Sequence, residues 1–443
     1  MTPPASRLPL VVLLLFSACT APGEGVIALE GATLVDGSGA APVANTLLLV
    51  AHGHIQTVAR GGEVPVPRGA VRVSLAGKTI IPGLIDGHAQ VERWATPRYI
   101  AWGVTTVRDL HSPPDSGVAL KNDLNLGAIL GPRMFSAGPV IDGAPSADRE
   151  ATAVATPDAA RRAVDQRAVA GADYVAVSTG ITRALLQPLM DEAVRLRLPV
   201  VATPGKIDAL AAARAGVVSI EGLAGVVQAA APGRFFAGWT TEAKAWNALD
   251  SGAVARTAAA LAATHVAIVP MLVLHEMRSR LNDPTLLTRP TMRDVPPWAA
   301  SVRDVAGVLG RTGVRSVDFA AFRRARVRQD QFVREFKRAG GLIAAGSGAA
   351  DALLVPGAAL HDELELLVAA GFTPLEAIGA ATRQAAQLLR ADSLGLVAPG
   401  KVADLVILNS NPMNDIAATR DIAWVMARGR IVYPDSVRRG WPK

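Results

Sequence analysis

His88 closes a short apolar run two residues before Gln90, and three further ionisable groups fall near the ends of other apolar runs. They are His111 just after Asp109, His275 beside Glu276, and Asp351 three residues past Gly348. Imidazole and carboxylate groups brought together can hold a divalent metal and lower the pKa of its bound water toward about 7, the chemistry of metal-assisted hydrolysis. Such a site needs three or four N, O or S donors. The chain has only 7 histidines and 1 cysteine, so His88, His111, His275 and Asp351 are the pool for at most one zinc. Each also has a plainer reading. His111 precedes Ser112-Pro113-Pro114 and suits a solvated loop, and His275-Glu276 suits a surface segment before Arg278 and Arg280. Asp351 suits an N-cap for the stretch beginning near Ala352, and His52 and His54 suit an exposed turn. A Gly-x-Ser-x-Gly nucleophile elbow is absent, since Ala345-Gly346-Ser347-Gly348 is a glycine-rich strand end with no assignable base.

The elements that would position these groups can be read from apolar periodicity. Candidate strands cover residues 79–85, 104–108, 133–137, 174–177, 200–202, 218–220, 266–271 and 342–345, alternating with longer helical stretches. Eight parallel strands closed by helices make a (β/α)8 TIM barrel, whose functional groups gather at the C-terminal ends of the strands. Thr373-Pro374-Leu375-Glu376 combines an N-cap, a proline in the first turn and a capping-box glutamate, and predicts a helix over 375–389. Residues 26–73 and 403–433 instead show brief apolar stretches punctuated by turn residues. These two chain ends are expected to form one small composite β-sandwich domain. The expected organisation is a leader over 1–19, a tether over 20–25, a β part over 26–78, the barrel over 79–394 and the second β part over 395–443.

Half of the 443 residues are apolar, which supports a sizeable core and excludes disorder, collagen and coiled coil. The net charge of +7 needs no nucleic-acid partner to explain it, and 4% aromatic residues are too few for base-stacking platforms. Residues 1–19 read as an export signal: Arg7 leads a nine-residue apolar run over 8–16, followed by Ser17-Ala18-Cys19. That run is too short to span a bilayer. Cys19 resembles a bacterial lipoprotein acceptor, with an ordinary cleaved leader as the alternative. The expected location is the periplasm, with a lipid anchor at Cys19 holding the body to a membrane. No second cysteine exists to form a disulfide. The basic stretch Arg323, Arg324, Arg326, Arg328, Arg334, Lys337 and Arg338 reads as a solvated helix face that could lean on anionic headgroups.

Several blocks in order carry a family resemblance. Gly77-Lys78-Thr79-Ile80-Ile81-Pro82-Gly83-Leu84-Ile85-Asp86-Gly87-His88, Gly103-Val104-Thr105-Thr106-Val107-Arg108-Asp109, Gly131-Pro132-Arg133 and 396–406 are similar to the amidohydrolase superfamily. Its imidazolonepropionase-like and exported prolidase-like branch is the nearest pattern. The resemblance implies metal-assisted hydrolysis of C–N bonds. It also implies a His-x-His pair on the first strand, a carbamylated lysine on the fourth, histidines ending the fifth and sixth, and a general-base aspartate ending the eighth. His361-Asp362-Glu363-Leu364-Glu365 resembles the family's helix after strand eight, whose acids read as helix surface and capping.

The chain departs from that pattern where the chemistry would occur. His88-Ala89-Gln90 keeps one imidazole of the pair, and the family's other positions hold Ala176, Ala202, Gly222 and Gly348. The implied metal site is degenerate, His88 is its only remnant, and no catalytic residue can be assigned. No resident cofactor is expected. The sequence reads as an exported amidohydrolase-like protein that is inactive or altered and binds a small molecule or peptide at the barrel mouth. The alternative is an active C–N hydrolase with a rebuilt mononuclear zinc site. Oligomeric state is open.

Overall fold

The computed structural model describes residues 25–113, 116–231 and 238–441. The leader, Cys19 and residues 20–24 of the tether lie outside the described residues. None of the described helices is long and apolar enough to cross a membrane.

The two chain ends meet in one eight-stranded sheet. Val26–Leu34, Val43–Ala51, His54–Arg60, Val71–Ser74 and Thr79–Pro82 come from the start of the chain, and Leu405–Leu408, Ile422–Ala427 and Arg430–Val432 from its end. The seam is Thr79–Pro82, antiparallel to Leu405–Leu408 on one side and parallel to Thr33 and Leu34 on the other. Leu405–Leu408 is buried at every residue, as a continuous apolar run should be when both faces of a sheet are covered.

The strand expected over 79–85 is divided at Gly83. Thr79–Pro82 belongs to the composite sheet, and Leu84–Ala89 begins a parallel one with Val104–Asp109 and Arg133–Ser136. A Cβ on Gly83 would collide with the Thr105 side chain, so only glycine lets the chain change sheets there. A second parallel sheet contains Thr152–Val154, Ile141–Gly143, Val175–Val177, Val200–Ala202, Ser219–Glu221 and Ala267–Val269, in that order. Backbone bonds link the two sheets on both sides. Asp173 N–H donates to Ser136 O at 2.8 Å, while Ile343 bridges Ile268 and Gly87 N–H donates to Ala345 O at 2.9 Å. The fold is therefore mixed α/β, with parallel strands carrying helices and a composite, largely antiparallel sheet beside them.

The capping box forms as its residue types dictate. Thr373 Oγ1 accepts from Glu376 N–H at 3.2 Å, and the Glu376 carboxylate accepts from Thr373 N–H at 2.7 Å. The helix it opens stops at Ala380, and a second runs over Arg383–Leu389. The carbonyls of Ala380 and Ala381 accept from Ala345 N–H and Ile85 N–H, so strand backbone takes acceptors that a continuous helix would have used. The long helix Phe319–Arg338 buries Phe319, Phe322, Phe332 and Phe336 on one face. Several of its basic residues are paired locally, Arg326 with Asp330 at 2.6 Å, Lys337 with Glu376 at 2.8 Å and Arg338 with Glu335 at 2.9 Å. Arg323 and Arg324 are exposed.

Candidate functional site at the strand ends

The parallel strands end on a buried polar chain. On Val104–Asp109, alternation turns Arg108 to the same face as Val104 and Thr106, and on Ser219–Glu221 it turns Ser219 and Glu221 together. Arg108 is completely buried. Its guanidinium donates to Gly87 O at 2.6 Å, Ser219 Oγ at 3.1 Å and Glu221 Oε1 at 2.7 Å, and it lies 5.6 Å from the Tyr174 ring centroid. Glu221 also accepts from Ser219 Oγ, and its Oε2 stands 2.8 Å from His88 Nδ1. Burial pushes the Glu221 carboxyl up, but the Arg108 charge and the bonds from His88 and Ser219 outweigh it and leave it below the ordinary carboxylate range. An ionised Glu221 accepts only, so Nδ1 carries the imidazole proton. When the ring is neutral, Nε2 is left as an acceptor.

His88 borders a cavity of about 190 Å³ at the C-terminal ends of the strands. Gln90, His111, Asp148, Ser178, Thr203 and Glu221 supply the rest of its polar lining, with Leu110, Val140, Ala176 and Val201 among the apolar walls. His111 Nε2 lies 3.3 Å from Asp148 Oδ2 and 3.8 Å from Glu150 Oε2. Under the site, Asp86 accepts from Ser347 N–H at 2.8 Å and Ser347 Oγ at 2.5 Å, tying the 346–348 turn to the His88 strand. Burial pushes Asp86 up to about 6, and burial pushes Asp109 up to about 7 against the bonds donated by Val91 N–H and Ser136 Oγ.

Among the residues singled out from sequence, His88, Gln90 and His111 share this cavity. His275 and Asp351 do not line it. His275 sits on a buried helix face, with Nδ1 3.2 Å from Gln329 Nε2, and lines a separate cavity of about 20 Å³ with Glu242 and Arg278. Burial, then the charges of Arg278 and Arg326, hold its imidazole well below the usual histidine range. The Asp351 carboxylate accepts from Ala352 N–H at 2.7 Å in a turn. His52 and His54 are exposed, while Glu363, expected on a helix surface, is fully buried and caps the helix Leu272–Ser279 through Val273 N–H at 2.7 Å. Sequence reasoning gave no role to Arg108 or Glu221. The available signal was a charged residue within a short strand expected to be buried, where a charge requires a partner.

The family's metal can be tested against this donor set. A ligating histidine characteristically donates its second nitrogen to a carboxylate, and the His88–Glu221 pair keeps that arrangement. The rest of a shell does not accompany it. Among the described residues no group of three or more His, Cys, Asp or Glu side chains stands where it could hold a metal ion. Ala176, Gly222 and Gly348 have no side-chain donor. The residues present do not fit the group.

The model of the amidohydrolase family matches residues 328–432. No curated protein sequence matches the chain. A solved protein of Bifidobacterium longum assigned as a prolidase is 26% identical, with a TM-score of 0.72 over 94% of this chain and 98% of its own. A bottromycin amidohydrolase is 21% identical, with a TM-score of 0.71 over 94% of this chain and 88% of its own. A Xaa-Pro dipeptidase solved with methionine in its active site is 20% identical, with a TM-score of 0.67 over 92% and 100%. The resemblance to the amidohydrolase superfamily, prolidase-like members included, therefore holds in both sequence and fold.

Proposed function

We propose that this amidohydrolase-like chain is a solute-binding relative of the C–N hydrolases that works without their metal. In this reading the parallel strands close as a (β/α)8 barrel, the composite sheet is the sandwich beside it, and the strand-end cavity takes a small polar ligand. The observation that carries it is His88. Its imidazole is oriented by Glu221, which Arg108 neutralises, and it faces a cavity rather than a metal shell. A cavity of about 190 Å³ is smaller than the ~300–1,000 Å³ of sites that enclose drug-sized ligands, which favours a small solute such as one amino acid or cyclic amide over a longer peptide. The prolidase-like neighbours make proline and its amides the first chemistry to try.

The test is ligand-observed NMR with L-proline, L-prolinamide and pyroglutamate. Saturation transfer is expected from at least one probe, with affinity about three- to tenfold weaker in His88→Ala, the worth of one hydrogen bond. Binding by none of them, or binding indifferent to His88, would overturn the reading. Elemental analysis after zinc incubation and dialysis separates the hydrolase alternative: about one zinc per chain, lost in His88→Ala, would restore it.

Export and anchoring belong to the same proposal and rest on the residues before Cys19. Wild-type chain is expected in the membrane fraction and Cys19→Ser in the soluble fraction. Equal partition of the two would remove the anchor.

A further inference from the structure

The lining of the His88 cavity comes from the strand ends 88–90, 176–178, 201–203 and 221 and from the loops around 110, 140 and 148. Residues 269–274 and 346–354 contribute none of it, although they end the neighbouring strands. Met271 belongs to the first of those segments and its side chain reaches the second at Gly348. It is 4% exposed, and it has φ +49°, a left-handed conformation that bulky side chains rarely adopt.

The thioether of Met271 lies against two glycines. A Cβ on Gly222 would be 3.4 Å from Met271 Cε, and a Cβ on Gly348 would be 3.3 Å from Met271 Sδ and 3.6 Å from Leu354 Cδ1. Both glycines adjoin the His88–Glu221 pair. Gly222 follows Glu221 directly, and Gly348 N–H donates to His88 O at 2.8 Å. Methionine, unbranched and polarisable, is well suited to fill an irregular gap of this kind.

We propose that Met271 determines what the strand ends admit. Its thioether fills the half between Gly222 and Gly348, closes it to a metal shell, and confines a ligand to the half lined by His88, His111, Ser178 and Thr203. The statement about the ligand rests on the function proposed above; the statement about the metal does not.

The experiment reads zinc per chain by elemental analysis. Gln90→His, Gly222→His and Gly348→Asp are combined, adding three donors around His88, once with Met271 present and once with Met271→Ala. His and Asp are among the few side chains that tolerate the positive φ of +73° and +68° at the two glycine positions. Retention is expected to be at least about tenfold higher with Met271→Ala, approaching the single ion that four such donors hold. Equal retention in the two backgrounds, at any level including none, overturns the proposal. A second comparison guards against a folding failure of the combined variants. Thermal midpoints are measured for Met271→Ala, Gly348→Asp and the double variant. Residues in contact should couple, so the double variant is expected to melt above the sum of the two single shifts. Additive shifts would overturn the plug equally. Neither measurement uses a solute, so failure of all three NMR probes would leave both comparisons interpretable.

Discussion

Arg108→Met is expected to destabilise the protein by about 3–5 kcal/mol, the cost of removing one partner from a buried ion pair. Arg108 is fully buried and Glu221 is 2% exposed, so water cannot replace the guanidinium. Truncation leaves the Glu221 carboxylate with bonds from Ser219 and His88 but no charge partner, and it leaves Gly87 O without its donor. Arg108→Lys should recover only part of the loss, because a compact ammonium lacks the planar fork whose three nitrogens reach Gly87, Ser219 and Glu221 separately. Removing both charges with Arg108→Met and Glu221→Leu should cost less than Arg108→Met alone, since the unpaired carboxylate is then absent. Urea unfolding midpoints of the wild type, Arg108→Met, Arg108→Lys, Glu221→Leu and the double variant check this. A loss under about 1 kcal/mol for Arg108→Met, or strict additivity in the double variant, would show that the pair does not hold the site. The consequence reaches His88, whose Nδ1–H has Glu221 as its acceptor. Once the carboxyl protonates to escape its isolation, the imidazole loses the partner that fixes its tautomer.

How much of this was legible in the sequence differs between scaffold and site. Short apolar runs between helical stretches located Val175–Val177, Val200–Ala202 and Ala267–Val269, which are buried at every residue and read as apolar throughout, whereas Ile141–Gly143 and Thr152–Val154 carried no such run and 342–345 makes only a single bridge, at Ile343. The division at Gly83 was not legible, since Thr79–Pro82 is claimed by Leu405–Leu408 from more than 300 residues away. Nor was the break at Ala380 and Ala381, because the acceptors are taken by distant strand backbone while the local pattern still favours a helix. At the site, strand-end placement brought His88, Gln90 and His111 into one cavity. His275 escaped it because it lies one turn into a helix, on the face packed against Gln329. The missing donors at Gly222 and Gly348 were readable as glycines, but a lost side chain does not announce what fills its space, and Met271 has no local signature.

A fall in stability with rising pH, reduced in Glu363→Gln, is the other large effect expected. Burial pushes Glu363 up to about 8 from 4.5, against bonds from Val273 N–H and Leu272 N–H and the charge of Arg326. The folded chain therefore holds a proton that the unfolded chain releases. The stabilisation is complete below about 4.5 and is lost progressively as pH rises through about 8. Its size is on the order of 3–5 kcal/mol, at ~1.4 kcal/mol per unit. Asp86, up to about 6, and Asp109, up to about 7, act in the same direction but finish earlier. Glu221, held below its ordinary range, acts only at the acid end and in the opposite direction. Above pH 7 the remaining slope should belong chiefly to Glu363. A glutamine there stays neutral and its oxygen can still accept from Val273 N–H, so its urea midpoint should change less between pH 7 and pH 9 than that of the wild type. Parallel curves would show that Glu363 does not hold the proton. The location gives the titration a structural meaning, because Glu363 caps the helix that begins immediately after Met271. Ionising it places a charge behind the residue that closes the metal half of the strand ends, so that end of the protein should be the first to loosen in alkaline solution.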